Sequence, residues 1–520
     1  MRVVFSLVLI LTTVAAGQSP SNSMEPNTRQ KALDRLRRVI VNNDGSEPVI
    51  EMKTPTEKEF LDLRTTALAD TQVDSIFYCS RTSGFGVFTH FTKIGQVFTC
   101  TEGRYSGNQM AALLKAGLDP LKMQCDFGKK HNIEVFWSMR MNDTHDGSKT
   151  EYGPTLIKDS KLKNEHPEYL IGTSNKRPKI GAWTAVDYAL PEIRDLAFRY
   201  IDEVCRNYDI NGIELDFFRH PVYFKSTSRG EPATAAEIGG MTDLITRIRT
   251  MVDEVGKARG KPILIAVKMP DSLEYCKTMG LDLEAWLKAG LLDLYIPGGI
   301  LQFNDWPYSV ALARKYGVKV YPSLDNVSLK DKTAEERRMA VIAYRGRAAT
   351  AWAAGADGIY YYNFPKTHND LLKETGDPKR LAKLDRDYYA FPRGNARSSA
   401  GNYPIETFQK LETLGPAIPK LLTPGKAVMS RLVVGEAFGK RADIVLKLRV
   451  QVQSGPSAGQ LRAKWNDAPL ELFAAGEDWY ESAVASETIL ADDNRFELTN
   501  LAEAHKKALW CYLVLQLRNK

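Results

Sequence analysis

Short runs of β-branched and aromatic residues alternate along the chain with longer stretches whose apolar positions recur every three or four residues, the pattern of successive βα units. Eight runs read as strands: Val39 to Asn43, Val73 to Cys79, Ile133 to Arg140, Gly212 to Phe217, Ile263 to Lys268, Leu292 to Pro297, Val318 to Ser323 and Gly358 to Asn363. The clearest helices between them are Thr56 to Leu68, Glu192 to Tyr208, Ala233 to Ala258, Leu281 to Ala289 and Ala334 to Ala354. Pro191 suits a first helical turn, where its missing N–H would have had no partner. Eight alternations over about 330 residues fit a closed α/β barrel, the (β/α)8 or TIM barrel, better than an open doubly wound sheet. The open sheet would carry a glycine-rich phosphate turn after its first strand, and "VIVNNDGSEP" has no GxGxxG. Two connections are long, Ser80 to Ser106 and Met141 to Leu190, and each follows a strand, on the side where barrels build their mouths.

From Arg397 the period changes. "RSSAGNYP" and "LGPAIPKLLTPG" lead into period-two runs such as "ADIVLKLRVQVQ", "GQLRAKWNDAPLEL", "DWYESAVAS" and "ALWCYLVLQLR", with "WND" at or beside a hairpin turn. The expected division is a barrel over 31–396, a linker over 397–428 and a small antiparallel β-sandwich over 429–520. The sandwich is either a stabilising module or a sugar-binding one using Trp465, Trp479 or Trp510 as a stacking platform; its ending on an apolar strand favours the first.

The start of the chain, "MRVVFSLVLILTTVAAG", has a basic residue, an apolar run too short to span a bilayer and then small residues, the layout of a cleavable secretory signal over 1–17, followed by a polar leader over 18–30. This predicts a secreted or periplasmic protein without a membrane span in its mature form. With 520 residues, 43% of them apolar, the chain can bury a barrel-sized core and a smaller one. The six cysteines (Cys79, Cys100, Cys125, Cys205, Cys276, Cys511) are too scattered for a disulfide framework or a zinc site, Cys79 with Cys100 being the nearest pair that could bridge. A formal charge of +7, spread along the chain, tolerates an acidic ligand and gives no reason to expect nucleic acid. Nothing in the sequence speaks to oligomeric state.

Candidate chemistry concentrates at strand ends. In "NGIELDFFRHP", residues 211–221, alternation sends Ile213, Leu215 and Phe217 to one face and Glu214 and Asp216 to the other. The apolar trio suits packing under helices, so the acids point into the barrel, with Asp216 nearer the C-terminal rim where barrel enzymes keep their catalytic groups. Glu214 is a second acid candidate or a structural ion pair with Arg219, Arg140 or Lys268. The third strand, "IEVFWSMRMNDTHDG", aligns Phe136, Ser138 and Arg140 and runs into Asn142, Asp143, His145 and Asp146. Here Arg140, Asn142 and His145 are candidate substrate-binding groups and Asp143 a candidate acid. A metal held by Asp143, His145 and Asp146 is the alternative, but the spacing matches no specific ligand set, and no metal or other cofactor is expected. Lys268 and Asp271, Tyr295, Asp325 with Asn326, and Tyr362 with Asn363 close the later strands. Together they bring acids, amides and rings to one rim, which suits a polyhydroxylated ligand.

The stretch "DYALPEIRDLAFRYIDEVCRNYDINGIELDFFRHP", with the eight-unit frame and the secretory start, resembles the glycosyl-hydrolase-like 10 family of secreted (β/α)8 proteins (the DUF187 group), in which a "PxxRD" helix leads into "YDVDGIxLDxxRYP". It departs by Asn211 where the family often has Asp, and by Glu214 where it often has another polar residue. The resemblance implies glycoside hydrolysis with Asp216 as a catalytic or substrate-contacting acid and a carbohydrate as the partner. Such hydrolysis uses two carboxyl groups whose separation sets retention or inversion. With Asp216, the sequence leaves Asp143, Glu214, Asp271 and Asp325 in reach, Asp143 or Asp325 preferred. A polysaccharide lyase using Lys268 or Arg140, and a non-catalytic glycan-binding protein, are the competing readings; no GxSxG turn supports a serine hydrolase.

Overall fold

A computed structural model describes residues 28–80, 84–148, 152–298, 302–324, 332–364, 369–390, 420–491, 493–502 and 507–520. The signal stretch 1–17, leader residues 18–27, linker residues 397–419 and Asp325 with Asn326 lie outside the described residues.

Eight strands, Val39–Asn43, Val73–Cys79, Glu134–Arg140, Gly212–Asp216, Leu264–Met269, Leu294–Pro297, Lys319–Val320 and Ile359–Tyr361, form one parallel sheet in the order eighth, first, second through seventh. The seventh and eighth meet at a parallel bridge between Ser323 and Tyr360, where Leu324 N donates to Tyr360 O (2.8 Å) and Tyr360 N to Pro322 O (3.1 Å). The ring is therefore closed, and the barrel expected from the alternation is the observed fold. The seventh strand is shorter than its apolar run because Pro322 has no N–H to give to a ladder. The helix expected over 334–354 is two, Lys332–Met339 and Val341–Ala353, parted by the extended backbone of Ala340.

Alternation along the strands sorts the side chains into an outer core and an inner filling. Ile213, Leu215 and Phe217 join the large cluster shared with Ile193, Ile201, Leu244 and Ile248 of the helices Pro191–Asn207 and Ala235–Arg259. The second of these helices starts at a capping box, with Thr234 and Glu237 each bonding the other's backbone N–H. Inside the barrel Ile40, Phe77, Phe136, Leu264, Ala266, Leu294, Ile296, Tyr321 and Tyr360 pack as a separate cluster, with Phe77 and Phe136 stacked at 4.3 Å. Gly212 makes room for this pair, since a Cβ there would fall 2.1 Å from the Phe136 ring. The apolar filling closes the barrel from below and leaves the polar inward side chains of strands one, three, four and five stacked above it.

The C-terminal part is two antiparallel sheets, one of six strands centred on Ile444–Gln453 and Leu509–Asn519 and one of four, the sandwich that the period-two runs predict. Arg386–Tyr389, just after the barrel, pairs with Val514 to Leu517 as an outer strand of the larger sheet. "WND" is a hairpin turn: Asn466 (φ 48°) and Asp467 (φ 67°) link Leu461–Trp465 to Ala468–Leu470. Trp465 and Trp510 are buried within the sandwich, and the Trp479 ring is covered by the guanidinium groups of Arg337 (4.8 Å) and Arg449 (4.7 Å). All six cysteines are free thiols, so Cys79 and Cys100 do not bridge. Among the described residues no helix is long and apolar enough to cross a membrane.

Candidate functional site at the barrel mouth

The parallel register lays three charges side by side across the C-terminal ends of three strands. Arg140 stands opposite Asp216, and Asp216 opposite Lys268. All three are buried. Asp216 Oδ1 accepts the Phe218 N–H at 2.9 Å, which fixes the carboxyl as the chain leaves the strand. Its Oδ2 is buried and has no hydrogen-bond partner among the described residues. A bare carboxylate oxygen away from water is costly unless something else comes to it, so this oxygen is an open acceptor at the mouth. The Tyr362 ring faces both cations, its centroid 4.5 Å from Lys268 Nζ and 6.0 Å from the Arg140 guanidinium carbon, and the Tyr362 hydroxyl has no hydrogen-bond partner among the described residues. Arg140 reaches Asp143 Oδ2 at 3.5 Å and Asn363 Oδ1 at 3.4 Å, both at the outer limit of hydrogen bonding, while its buried Nε has no partner among the described residues.

Glu214 sits one layer deeper and is fully enclosed. It accepts from Tyr360 OH (2.6 Å), from Asn42 Nδ2 (3.1 Å) and, in a very short contact, from Ser138 Oγ. Burial, and next the charge of Asp216, push its carboxyl from 4.5 up to about 7. Thus the two acids of "ELD" have different surroundings: Glu214 has every oxygen occupied, and Asp216 has one open.

The long connection after the third strand supplies a second cluster. His145 Nδ1 lies 2.8 Å from both oxygens of Asp143, and the His145 N–H donates to Asp143 Oδ1 at 2.9 Å. On the other side of the ring, Arg219 Nη2 is 3.1 Å from His145 Nε2. A guanidinium can only donate, so Nε2 holds a lone pair and the ring proton is on Nδ1, aimed at Asp143. Burial would raise the Asp143 carboxyl, but His145, His220 and Arg140 outweigh it and hold the acid well below the usual carboxylate range. Burial, then the neighbouring arginines, keep His145 below its ordinary value against the pull of Asp143. His220 is lowered further, by burial first and Arg219 next. It takes a left-handed backbone (φ 80°) just before Pro221, and its Nδ1 accepts the Thr144 N–H at 3.2 Å. Asp143, His145 and His220 place one ligand atom each within 4.8 Å of one another, a grouping by which a metal could be held. The hydrogen-bond directions oppose it: the His145 nitrogen facing Asp143 is protonated, and a cation would displace that proton beside Arg140 and Arg219.

The remaining residues anticipated from the sequence have other surroundings. Asn142 is wholly committed to the scaffold, donating to Val186 O (3.0 Å) and Val222 O (2.7 Å) and accepting from Val186 N (3.0 Å). Asp271, pushed up to about 7 by burial against the pull of nearby backbone N–H groups, is held by the N–H groups of Phe303 (3.0 Å) and Asn304 (2.8 Å). Tyr295 lies in the outer core, its hydroxyl on Pro270 O at 3.3 Å. Asn363, in a left-handed turn at φ 44°, faces Arg140. Asp325 lies outside the described residues. The mouth therefore gathers Asp216, Arg140, Lys268, Tyr362, Asn363, Asp143, His145 and Arg219, with Glu214 below. His220 and Asn42 were not anticipated. The run "RHP" is the one signal for the first, a pre-proline residue four places after the strand ends at Asp216; for Asn42 only its position, two places from Ile40 on the same strand face, could have served.

No family model matches the chain, and no curated protein matches its sequence. Among solved structures, it is similar to the glycoside hydrolase domain of PgaB from Bordetella bronchiseptica, at 8% identity and a TM-score of 0.43 over 66% of this chain and 99% of that one. It is also similar to an alpha-amylase from Geobacillus thermoleovorans solved with acarbose, at 11% identity and a TM-score of 0.38 over 90% of this chain and 99% of that one.

Proposed function

We propose that the protein is a glycoside hydrolase, exported by its N-terminal signal, that cleaves an oligo- or polysaccharide at the C-terminal mouth of the barrel. The observation that supports this reading is the open Oδ2 of Asp216, a buried carboxylate oxygen without a hydrogen-bond partner among the described residues, at the C-terminal end of an inward-facing strand position. In this reading Asp216 acts as the charged member of the pair. It attacks the anomeric carbon, or takes the proton of a water that does, while Lys268 and Arg140 keep the carboxyl oriented from the adjacent strands. The proton donor must hold a proton near neutrality, which Asp143 does not. Asp143 then orients His145; Glu214 and Asp271 hold their protons to about 7 but have their oxygens engaged by protein donors, so the reading keeps Asp325, the other acid that the sequence prefers, as the donor. Asn363, Tyr362 and Arg219 offer polar contacts to hydroxyls, and the Tyr362 ring a face for a sugar.

The test is a screen of the mature chain against a broad glycan panel, with product anomers read by NMR and Asp216→Asn as the control. Cleavage that disappears in Asp216→Asn is the expected result. Products absorbing through a new double bond would make the protein a lyase, and binding without turnover on any glycan would make it a glycan-binding barrel.

A further inference from the structure

A second group of arginines lies outside the mouth cluster, where the helix Lys332–Met339 meets the outer face of the six-stranded sheet. Trp479 and Tyr512 both stand opposite Gln451 on the central strand Ile444–Gln453, so their rings lie side by side, 6.2 Å apart and 15° from parallel. The Arg337 guanidinium covers both, 4.8 Å from the first ring centre and 4.4 Å from the second, and Arg449 covers Trp479 at 4.7 Å. Stacking occupies the face of a guanidinium and leaves its N–H groups, which point outward in its plane, to find acceptors elsewhere. Among the described residues, the buried Nη1 of Arg337 and the buried Nε of Arg449 have no hydrogen-bond partner. Two acids on this sheet face serve other cations: Asp387 meets Arg518 at 2.6 Å, and Glu481 meets Lys447 at 2.7 Å and reaches the Arg449 Nε only at 3.5 Å. A buried N–H on a charged group is costly to leave without an acceptor.

Arg337, Arg449, Trp479, Tyr389, Val514 and Gln516 line a cavity of about 140 Å³ at this seam. At about 30 Å³ for one water, it has room for a group of a few heavy atoms. Guanidinium groups only donate, so the group that fits is rich in acceptors. A carboxylate, sulfate or phosphate takes charge-assisted, paired bonds from such edges, where a neutral hydroxyl takes a single one. We propose that the seam binds a small oxyanion, a sulfate, a phosphate or the carboxylate of an acidic sugar, through Arg337 from the barrel side and Arg449 from the sandwich, both guanidinium groups being held in place by the Trp479 ring. A bound oxyanion ties the two parts of the chain together, which gives the sandwich a ligand as well as a stabilising role. The site makes no use of the mouth and does not depend on the hydrolase reading.

The experiment uses the whole mature chain with its tryptophans replaced by 5-fluorotryptophan, the Trp479 resonance being assigned by its loss in Trp479→Phe. Sulfate, inorganic phosphate, glucuronate and neutral glucose are titrated separately at an ionic strength held constant with chloride. The Trp479 fluorine signal should shift saturably with at least one of the three anions and not with glucose, and the three anions separate the sources of the charge. Arg337→Met and Arg449→Met should each weaken that binding at least about ten-fold. The Arg449 side chain is 29% exposed, and the other tryptophan signals report whether each variant keeps the fold; should one variant move them, the other decides. No saturable shift with any anion overturns the proposal, and a carboxylate of the chain's own, Glu406 or Glu412 of the linker, filling the cavity would give that result. Glucose binding as tightly as the anions, or affinity retained in a folded variant, also overturns it.

Discussion

Asp216→Asn tests the chemistry of the rim and the electrostatics beneath it in a single protein. The amide keeps the Phe218 N–H bond through its own oxygen and loses no other hydrogen bond to the described residues, because Oδ2 has none among them. Activity should fall by about three orders of magnitude or more, ~4 kcal/mol of transition-state stabilisation. Stability should change in a pH-dependent way. Glu214 ionises at 4.5 when exposed and at about 7 in the fold, through burial first and the charge of Asp216 second. The folded state thus binds more protons than the unfolded one between those values. Stability tied to this group is full below 4.5 and is lost as pH rises toward and through 7, to a total of about 3 kcal/mol. Removing Asp216 brings the folded value part of the way back, so the variant should regain about 1 kcal/mol at pH 8 and almost nothing at pH 4.5. Calorimetric melting at the two pH values reads this as a midpoint about 1–2 °C higher, relative to wild type, at the alkaline end than at the acid end. Near-normal turnover would take Asp216 out of the mechanism, and an offset between variant and wild type that is identical at both pH values would refute the coupling to Glu214.

Three further outcomes follow from single contacts. Arg219→Met removes the donor facing His145 Nε2 and a positive neighbour, so the His145 midpoint, followed by histidine NMR, should rise from its lowered value; an unchanged titration would refute the contact. Lys163→Met leaves Asp146 buried and unpaired where the two now meet at 2.5 Å, costing about 3–5 kcal/mol in a denaturant melt, much of it regained on adding Asp146→Asn. Trp510→Ala should cost about 3–5 kcal/mol because the ring fills the sandwich core, while glycan binding per folded molecule stays unchanged; weakened binding would mean that the sandwich contacts sugar.

The barrel was legible because period-two alternation and short strands survive in the sequence even where the ladder is interrupted. The seventh strand illustrates the limit: "VKVYPS" reads as one run, yet Pro322 confines its ladder to Lys319–Val320 and leaves closure to the bridge at Ser323. The inward placement of Glu214 follows from Ile213 and Leu215 packing under helices, a local inference that needs no knowledge of the rest of the chain. What could not be read is what each acid meets. Asp271 and Asn142 have the composition of ligand-binding residues, but their partners are backbone groups of loops distant in sequence, Phe303 and Asn304 for one, Val186 and Val222 for the other. His220 lies 75 positions from His145, and only the return of the chain after the fourth strand makes them neighbours at 5.0 Å between ring centres.

The pairing of Glu214 with Asp216 has a physical logic that also bears on why charge is buried here at all. A barrel interior at this depth could be filled by leucine or isoleucine, and a buried ionic group is often no more stabilising than such a replacement. Yet Glu214 collects donors from three separate strands, Asn42 from the first, Tyr360 from its neighbour the eighth, and Ser138 from the third, which lies beside Glu214's own. Each of those donors would be orphaned by an apolar side chain, so the acid fixes the relative positions of the strands directly under the rim. Its raised value follows from the same arrangement. With the deeper carboxyl carrying the proton over much of the range below pH 7, the upper one faces a nearly neutral floor and two lateral cations. A negative charge can then be held at Asp216 without a second anion beneath it, which is what the role proposed for it, meeting a developing positive charge at an anomeric carbon, would require.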